Sequence, residues 1–303
     1  MSNHHHNTNN ERNFRLAFFL NFGFAFAEII GGLLTNSVAI LADALHDFGD
    51  SITLALSWQL EKVSEKGEDM RYSYGYKRFS LLGALIGALV LIGGAAVVVT
   101  EAVRRLRQPQ APNAQGMLAF ALAGILINGY VAMRAGKGKN MNSKVISWHL
   151  MEDAFGWAAV LAVSIVLMFS DFYFLDPLLS ILVTGYVLIN VVRNLRRTVA
   201  LFLQGVPESL DVEAIEREIM DLRKVAGVHH THAWSLDGEQ HVLTTHVIMC
   251  PDAEAPDVRA VKDRMRDLKK RFGLAHTTVE IEHSEEDCSM QIKLEGEKNV
   301  CHE

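Results

Sequence analysis

Residues 41–50 read LADALHDFGD: His46 and three carboxylates, Asp43, Asp47 and Asp50, inside a stretch that otherwise reads as a membrane helix. Ionisable groups at membrane depth are costly and usually mark an ion pathway. A second stretch, residues 149–153, HLMED, repeats the arrangement, with His149 followed four residues later by Asp153. Residues four apart stack on one helical face, so each helix offers an imidazole beside a carboxylate. Apart from His4, His5 and His6, no other histidine occurs before residue 207. Two such faces turned together make a site of two nitrogens and two oxygens. That set suits Zn²⁺, which takes tetrahedral His and Asp ligands, and two aspartates offset its charge in a low-dielectric setting.

Working outward, half of the 303 residues are apolar. Apolar stretches at 14–34, 38–61, 80–104, 116–134, 145–168 and 174–196 each approach the ~20 helical residues that cross a bilayer. The connections are short, so neighbouring spans should be antiparallel. Arg12, Arg15, Lys62, Lys66, Arg71, Lys77, Arg78, Arg134, Lys137, Lys139, Lys144, Arg193, Arg196 and Arg197 fall on one side, and only Arg104, Arg105 and Arg107 on the other. The positive-inside tendency therefore predicts both termini in the cytoplasm. Residues 1–206 hold 17 basic and 14 acidic residues, whereas 207–303 hold 12 and 21. This asymmetry implies two regions in different surroundings, neither with the basic surface of a nucleic-acid binder. Cys250, Cys288 and Cys301 form no CxxC pair, which suggests no disulfide framework and fits a reducing compartment. The polar start, MSNHHHNTNNERN, has no cleavable-signal pattern.

Beyond GVPES, residues 210–225 alternate with helical period. HTHAWSLD and VLTTHVIM read as strands joined across Asp237-Gly238. Pro256 opens a helix to Phe272, with Gly273 as its cap, and TTVEIEH is a third strand. The expected architecture is a membrane all-α six-helix bundle with a C-terminal α+β ferredoxin-like cytoplasmic domain. Its parts are a disordered segment (1–13), the six-span domain (14–206), the cytoplasmic domain (207–288) and an acidic flexible tail (289–303).

Other polar residues accompany the histidine pairs. Asp43 lies near the Asp50 face two turns away, as an entry ligand, a proton acceptor or an interfacial residue. Asn21 and Glu28 share a face of the first span, and Asn128 sits in the fourth; these line the bundle interior and a possible access or proton path. Asp47 and Glu152 are turned about 100° from their neighbouring ligands and should pair with adjacent helices.

The two HxxxD pairs, on the second and fifth spans, resemble the cation diffusion facilitator family in its zinc-transporting branch. SVAILADALHDFGDS, YSYGYKRFSLLGALI, DPLLSILVTGYVLI, LFLQGVP, VHHTHAWSL and LTTHVIM resemble further stretches of that family, so the likeness covers nearly the whole chain. It implies that His46, Asp50, His149 and Asp153 form a transport site. It also implies alternating access, a homodimer, a bacterial inner membrane and zinc binding in the cytoplasmic domain. There His232 and His246 fall on facing strands, Glu282 or His283 ends the third, and Cys288 follows. His229, His230, His241, His276 and His302 read as surface histidines. The loop after the second span offers Glu68 and Asp69, but Tyr76 stands where some relatives have a histidine ligand. GKGKNMNSK, between spans four and five, holds no obvious ligand.

Neutral imidazole and ionised carboxylate bind metal, and their protonated forms do not. Zn²⁺ arrival should therefore expel protons, giving zinc efflux with protons as counter-ion rather than an enzymatic activity. The alternatives are a membrane-bound metal sensor, an intramembrane zinc hydrolase, and a carrier mainly of cadmium or cobalt. Four matched ligands leave no open position for a hydrolytic water, and HExxH is absent.

Overall fold

The computed structural model describes the backbone of residues 5–135 and 141–283, and side chains of 18–133 except Leu20, and of 151–283. Its elements run α1 (His5–Thr35), α2 (Val38–Ser64), α3 (Phe79–Arg107), α4 (Ala114–Ala135), α5 (Met141–Phe169), α6 (Leu175–Phe202), α7 (Val212–Met220), β1 (Val225–Ser235), β2 (His241–Met249), α8 (Ala255–Arg271) and β3 (Leu274–His283). Two compact units result: residues 1–61 with 82–196, and residues 62–81 with 197–303.

The long helices of the first unit are apolar on their outward faces as well. Leu122, Leu126, Phe155, Leu182 and Ile189 are exposed, as expected of a surface that meets lipid rather than water. Among the described residues, four segments are long and apolar enough to cross a membrane: Phe79–Arg107, Ala114–Met133, Met151–Phe169 and Leu175–Phe202. The six expected spans correspond to the six long helices α1–α6, of which four meet this measure among the described residues. Asp43, Asp47 and Asp50 interrupt α2, and the described apolar part of α1 is the shorter Asn21–Thr35. α1 also begins at His5, where a disordered segment to residue 13 is expected. Residues 5–13 contain no proline or glycine to stop a helix, so α1 continues through them.

Inside lipid, helices associate through close packing rather than water exclusion. α2 is held on two sides. Ala39 and Ile40 pack with Met117 and Ala121 of α4 and Trp157 and Val160 of α5. Val38 and Ala42 pack with Val98 and Ala102 of α3. Trp157 is fully buried, and its indole lies where a Cβ on Gly124 would be, so only glycine allows α4 this close.

In the second unit, Asp211 caps α7 by accepting from the Ala214 N–H at 2.9 Å. A capping box between Glu254 and Asp257 opens α8, with Pro256 in the first turn. Ile215 and Ile219 of α7, and Val261, Met265 and Leu268 of α8, recur at helical spacing and bury against Leu243, Val247 and Met249 of β2. The sheet order is β1-β2-β3, with β1–β2 antiparallel and β2–β3 parallel. The α-β-β-α-β order matches the expectation. A full ferredoxin-like sheet has a fourth strand, however, and among the described residues none precedes α7, so the domain is a small α/β unit on three strands. At the hairpin, Asp237 Oδ1 accepts from the N–H groups of Glu239 and Gln240, and Gly238 takes φ 102°. Cys250, directly after β2, is disulfide-bonded. The sequence expectation of no disulfide framework differs at this residue, and Cys288 and Cys301 lie outside the described residues.

Candidate metal centres

The first centre is built on α2. His46 Nε2 stands 3.8 Å from Asp50 Oδ2, the side-by-side pair that helical spacing predicts, and both residues are half-buried. His46 also borders a narrow cavity between α2, α3 and α6, lined by Leu91, Val98, Val183 and Thr184. Across from α2, the Asp153 carboxylate of α5 is an electrostatic neighbour of Asp43 and Asp47. Asp43 Oδ1 lies 3.9 Å from where a Cβ on Gly156 would stand, so the α5 glycine leaves room for this carboxylate. The His149 side chain lies outside the described residues. Of the expected ligands, His46 and Asp50 thus stand side by side on α2, and Asp153 neighbours two further carboxylates of that helix, Asp43 and Asp47.

Around them lies more acid. Glu28 of α1 is 2% exposed, and its charged neighbours are Asp47, Asp43 and Asp153. Asn21 donates to the Asp47 carbonyl at 3.2 Å and to Ser51 Oγ at 3.1 Å, tying α1 to α2. Asn128 is buried in α4. Asp47 faces Glu28 of α1, and Glu152 hydrogen-bonds Tyr186 of α6, so both turn to adjacent helices as their helical angle requires. Several carboxyls converging in a low-dielectric interior create a potential that favours a dication.

The second centre lies on the sheet face opposite the core. His229 Nε2 is 2.8 Å from Glu282 Oε2, and His246 Nδ1 is 2.7 Å from Glu282 Oε1. Glu280 adds an oxygen 3.4 Å from His246 Nε2. One ligand atom from each of His229, His246 and Glu282 falls within 4.8 Å of the others. Two nitrogens and a carboxylate oxygen in this space fit Zn²⁺, with a position left for a further ligand. Glu282 is 6% exposed and held by both imidazoles, so a metal would replace protons already shared there.

This membership keeps His246 and Glu282 of the expected set but not His232 or His283. His232 is exposed and, with Trp234, Val206 and Val212, lines a separate pocket. His229, read from sequence as a surface histidine, takes the place beside His246. The cause is a bulge: His229 pairs with His246 but His232 with Thr244, so β1 spends three residues where β2 spends two, and His230 takes φ 47°. A signal was available. Val228 and Ala233 both turn to the core although they lie five apart, which strand alternation permits only with an extra residue between them. His283 ends β3 exposed, in register with Met249 and on the opposite parity from Glu282. Cys288 lies outside the described residues.

Glu68, Asp69 and Tyr76 belong to the second unit. Asp69 accepts from Tyr76 Oη at 2.7 Å and from the N–H groups of Arg71 and Tyr72. The Tyr76 hydroxyl, followed by those two amides, holds the Asp69 carboxyl below its ordinary range. Its oxygens are engaged in shaping the loop rather than free for a metal. Glu68 lies 3.6 Å from His276 Nε2, and the Tyr74 ring meets His276 and Trp234 edge-on.

Comparison with known proteins agrees with this division. Residues 14–203 match the cation efflux transmembrane domain, and residues 207–284 the cytoplasmic domain of cation efflux proteins. The zinc transporter ZitB of Shigella flexneri is 30% identical over 99% of this chain and 97% of its own length. The metal cation efflux system protein CzcD of Cupriavidus metallidurans is 29% identical over 92% of this chain and 89% of its own length. The cadmium, cobalt and zinc/H⁺-K⁺ antiporter of Bacillus subtilis is 27% identical over the full length of both. With family matches over nearly all of its length and relatives aligned end to end, the chain belongs to the cation efflux family.

Proposed function

We propose that this chain is a six-span, homodimeric zinc exporter that exchanges Zn²⁺ for protons by alternating access. The observation that carries the reading is the His46–Asp50 pair on a helix enclosed by α3, α4 and α5, with the Asp153 carboxylate facing the same helix. His46, Asp50, His149 and Asp153 hold the ion. Arrival of Zn²⁺ displaces protons from imidazole and carboxyl groups, and arrival of protons displaces Zn²⁺. A more acidic exterior therefore drives release outward, and the same groups bind again once deprotonated on the inner side. Asp43, Glu28, Asn21 and Asn128 offer a polar path through α1, α2 and α4. Both termini lie in the cytoplasm, and the membrane is a bacterial inner membrane.

The cytoplasmic cluster supplies a regulatory zinc position. His229, His246 and Glu282 would hold the ion, and Glu280 stands beside His246. Binding that favours one arrangement of two domains shifts its population and so tunes transport.

A second reading, transport mainly of cadmium or cobalt, has support in the names of the Bacillus subtilis relative and in the donor set, since affinity order alone does not choose among these ions. The deciding experiment is pH-gradient-driven flux in proteoliposomes with Zn²⁺, Cd²⁺ or Co²⁺. Wild type should carry zinc, and Asp50→Ala and Asp153→Ala should not. A sensor would accumulate no metal in any of these assays, and wild-type flux that survives both substitutions would remove the site from the mechanism.

A further inference from the structure

Asp176, at the start of α6, is 1% exposed and is not among the residues named so far as ligands. Its carboxylate is spent on another helix. Asp176 Oδ2 accepts from the Val38 N–H at 2.7 Å, and Oδ1 accepts from the Ala39 N–H at 3.2 Å and from the Ser37 hydroxyl at 2.5 Å. Ser37 Oγ in turn accepts from the Ile40 N–H at 3.2 Å. The first three amides of α2, which have no partner within their own helix, are thus satisfied by one α6 carboxylate and one hydroxyl oriented by it. The anion also sits at the positive end of the α2 dipole. Next to this cap, Arg105 of α3 donates from Nη1 to the Asn36 carbonyl and from Nε to Glu101. The turn before α2 is further tied by Asn113 N–H donating to the Thr35 carbonyl at 2.8 Å. The end of α2 is therefore fixed to α3, α6 and the α3–α4 connection at one point.

Val38 and His46 are eight residues apart, about 12 Å along one rigid helix. Whatever sets the height and rotation of residues 37–40 sets those of His46 and Asp50. We infer that Asp176 is a positioning residue for transport: as a cap supplied by α6, it holds α2 in the register at which His46 and Asp50 meet the ion. The inference rests on the transport reading above. It adds a residue that touches neither the ion nor its ligands.

The test measures the zinc concentration for half-maximal flux separately from maximal flux, using the whole chain in proteoliposomes. Displacement of about 1 Å in a fixed site costs up to roughly a hundredfold. Asp176→Ala should therefore raise the half-maximal concentration roughly tenfold or more, and Asp176→Glu, which keeps the charge and both acceptors, should recover part of that loss. Ser37→Ala should raise it in the same direction, and the double variant should show less than the sum, because both act on one cap. A merely structural role would lower maximal flux with the amount of folded protein and leave the half-maximal concentration where it was; that result overturns the inference, as does wild-type behaviour of Asp176→Ala. If the alanine variant does not fold, Asp176→Asn, of the same size, is read by the same two numbers. The His46→Ala control separates the two ideas. Absence of wild-type zinc flux defeats the transport reading itself. Zinc flux in wild type and its loss in His46→Ala, with an unchanged half-maximal concentration in Asp176→Asn, defeats only the positioning role.

Discussion

The sharpest consequence of the cytoplasmic cluster is a contrast between two histidines three residues apart. The assay is thermal unfolding of the domain 207–303, whose buried core draws on α7, α8 and all three strands, at zinc concentrations near one hundred times the wild-type dissociation constant. A ligand that binds only the folded state then contributes about 2.7 kcal/mol. For a domain of this size each kcal/mol moves the midpoint by roughly 4–8 °C, so zinc should raise it by roughly 10–20 °C. His229→Ala removes one of three ligand groups that lie within 4.8 Å of each other. If this weakens binding a hundredfold, the same zinc concentration contributes only about 0.4 kcal/mol, a rise of roughly 2–3 °C. Glu282→Ala should behave likewise, since that carboxylate is shared by both imidazoles. His232→Ala, an exposed residue in register with Thr244, should keep the full wild-type rise. A zinc shift that survives His229→Ala and vanishes in His232→Ala would refute the bulged register as the basis of the site.

Three further outcomes are expected. Gly124→Val should destabilise the helical unit by about 1–3 kcal/mol, because the new side chain runs into the Trp157 indole, and detergent-solubilised protein should unfold at lower temperature. The Asp69 carboxyl is lowered chiefly by the Tyr76 hydroxyl, so its ordering of the 65–78 loop is present above the ordinary carboxylate range and is lost as pH falls through its lowered value; limited proteolysis should find this loop resistant at neutral pH and open well below pH ~4, and a loop equally resistant at both would remove Asp69 from that role. Asp211→Ala removes the α7 cap and should cost the cytoplasmic domain about 1 kcal/mol in urea unfolding, with little change in the slope.

The helix-borne site was legible because its information is local. A histidine and an aspartate four apart must share a helical face whatever the rest of the chain does, and His46 and Asp50 do so. The order α-β-β-α-β and the Asp237-Gly238 hairpin were legible for the same reason, since turn chemistry and periodicity are written in neighbouring residues. The sheet site was only half legible. His246 and Glu282 follow from strand alternation, but choosing between His229 and His232 required a non-glycine residue, His230, at positive φ, which a reading by simple alternation does not supply. The Asp176 cap was not legible at all. Its carboxylate serves amides 137 and 138 residues away, and no local pattern distinguishes it from an ordinary first-turn acid of α6.

The sheet has only three strands, and β1 and β3 lie at its two borders. Each border presents main-chain groups that a neighbouring molecule could extend, and natural sheets deter this with charge. Here the deterrent on β3 is the exposed Glu280, whose carboxylate lies 3.4 Å from His246 of the metal cluster. An ion that neutralises this acid removes part of the repulsion that keeps separate copies from stacking strand to strand. Concentrated stocks of the isolated domain should therefore be most prone to cross-molecule sheet growth when fully loaded with metal, and a chelator should restore their solubility.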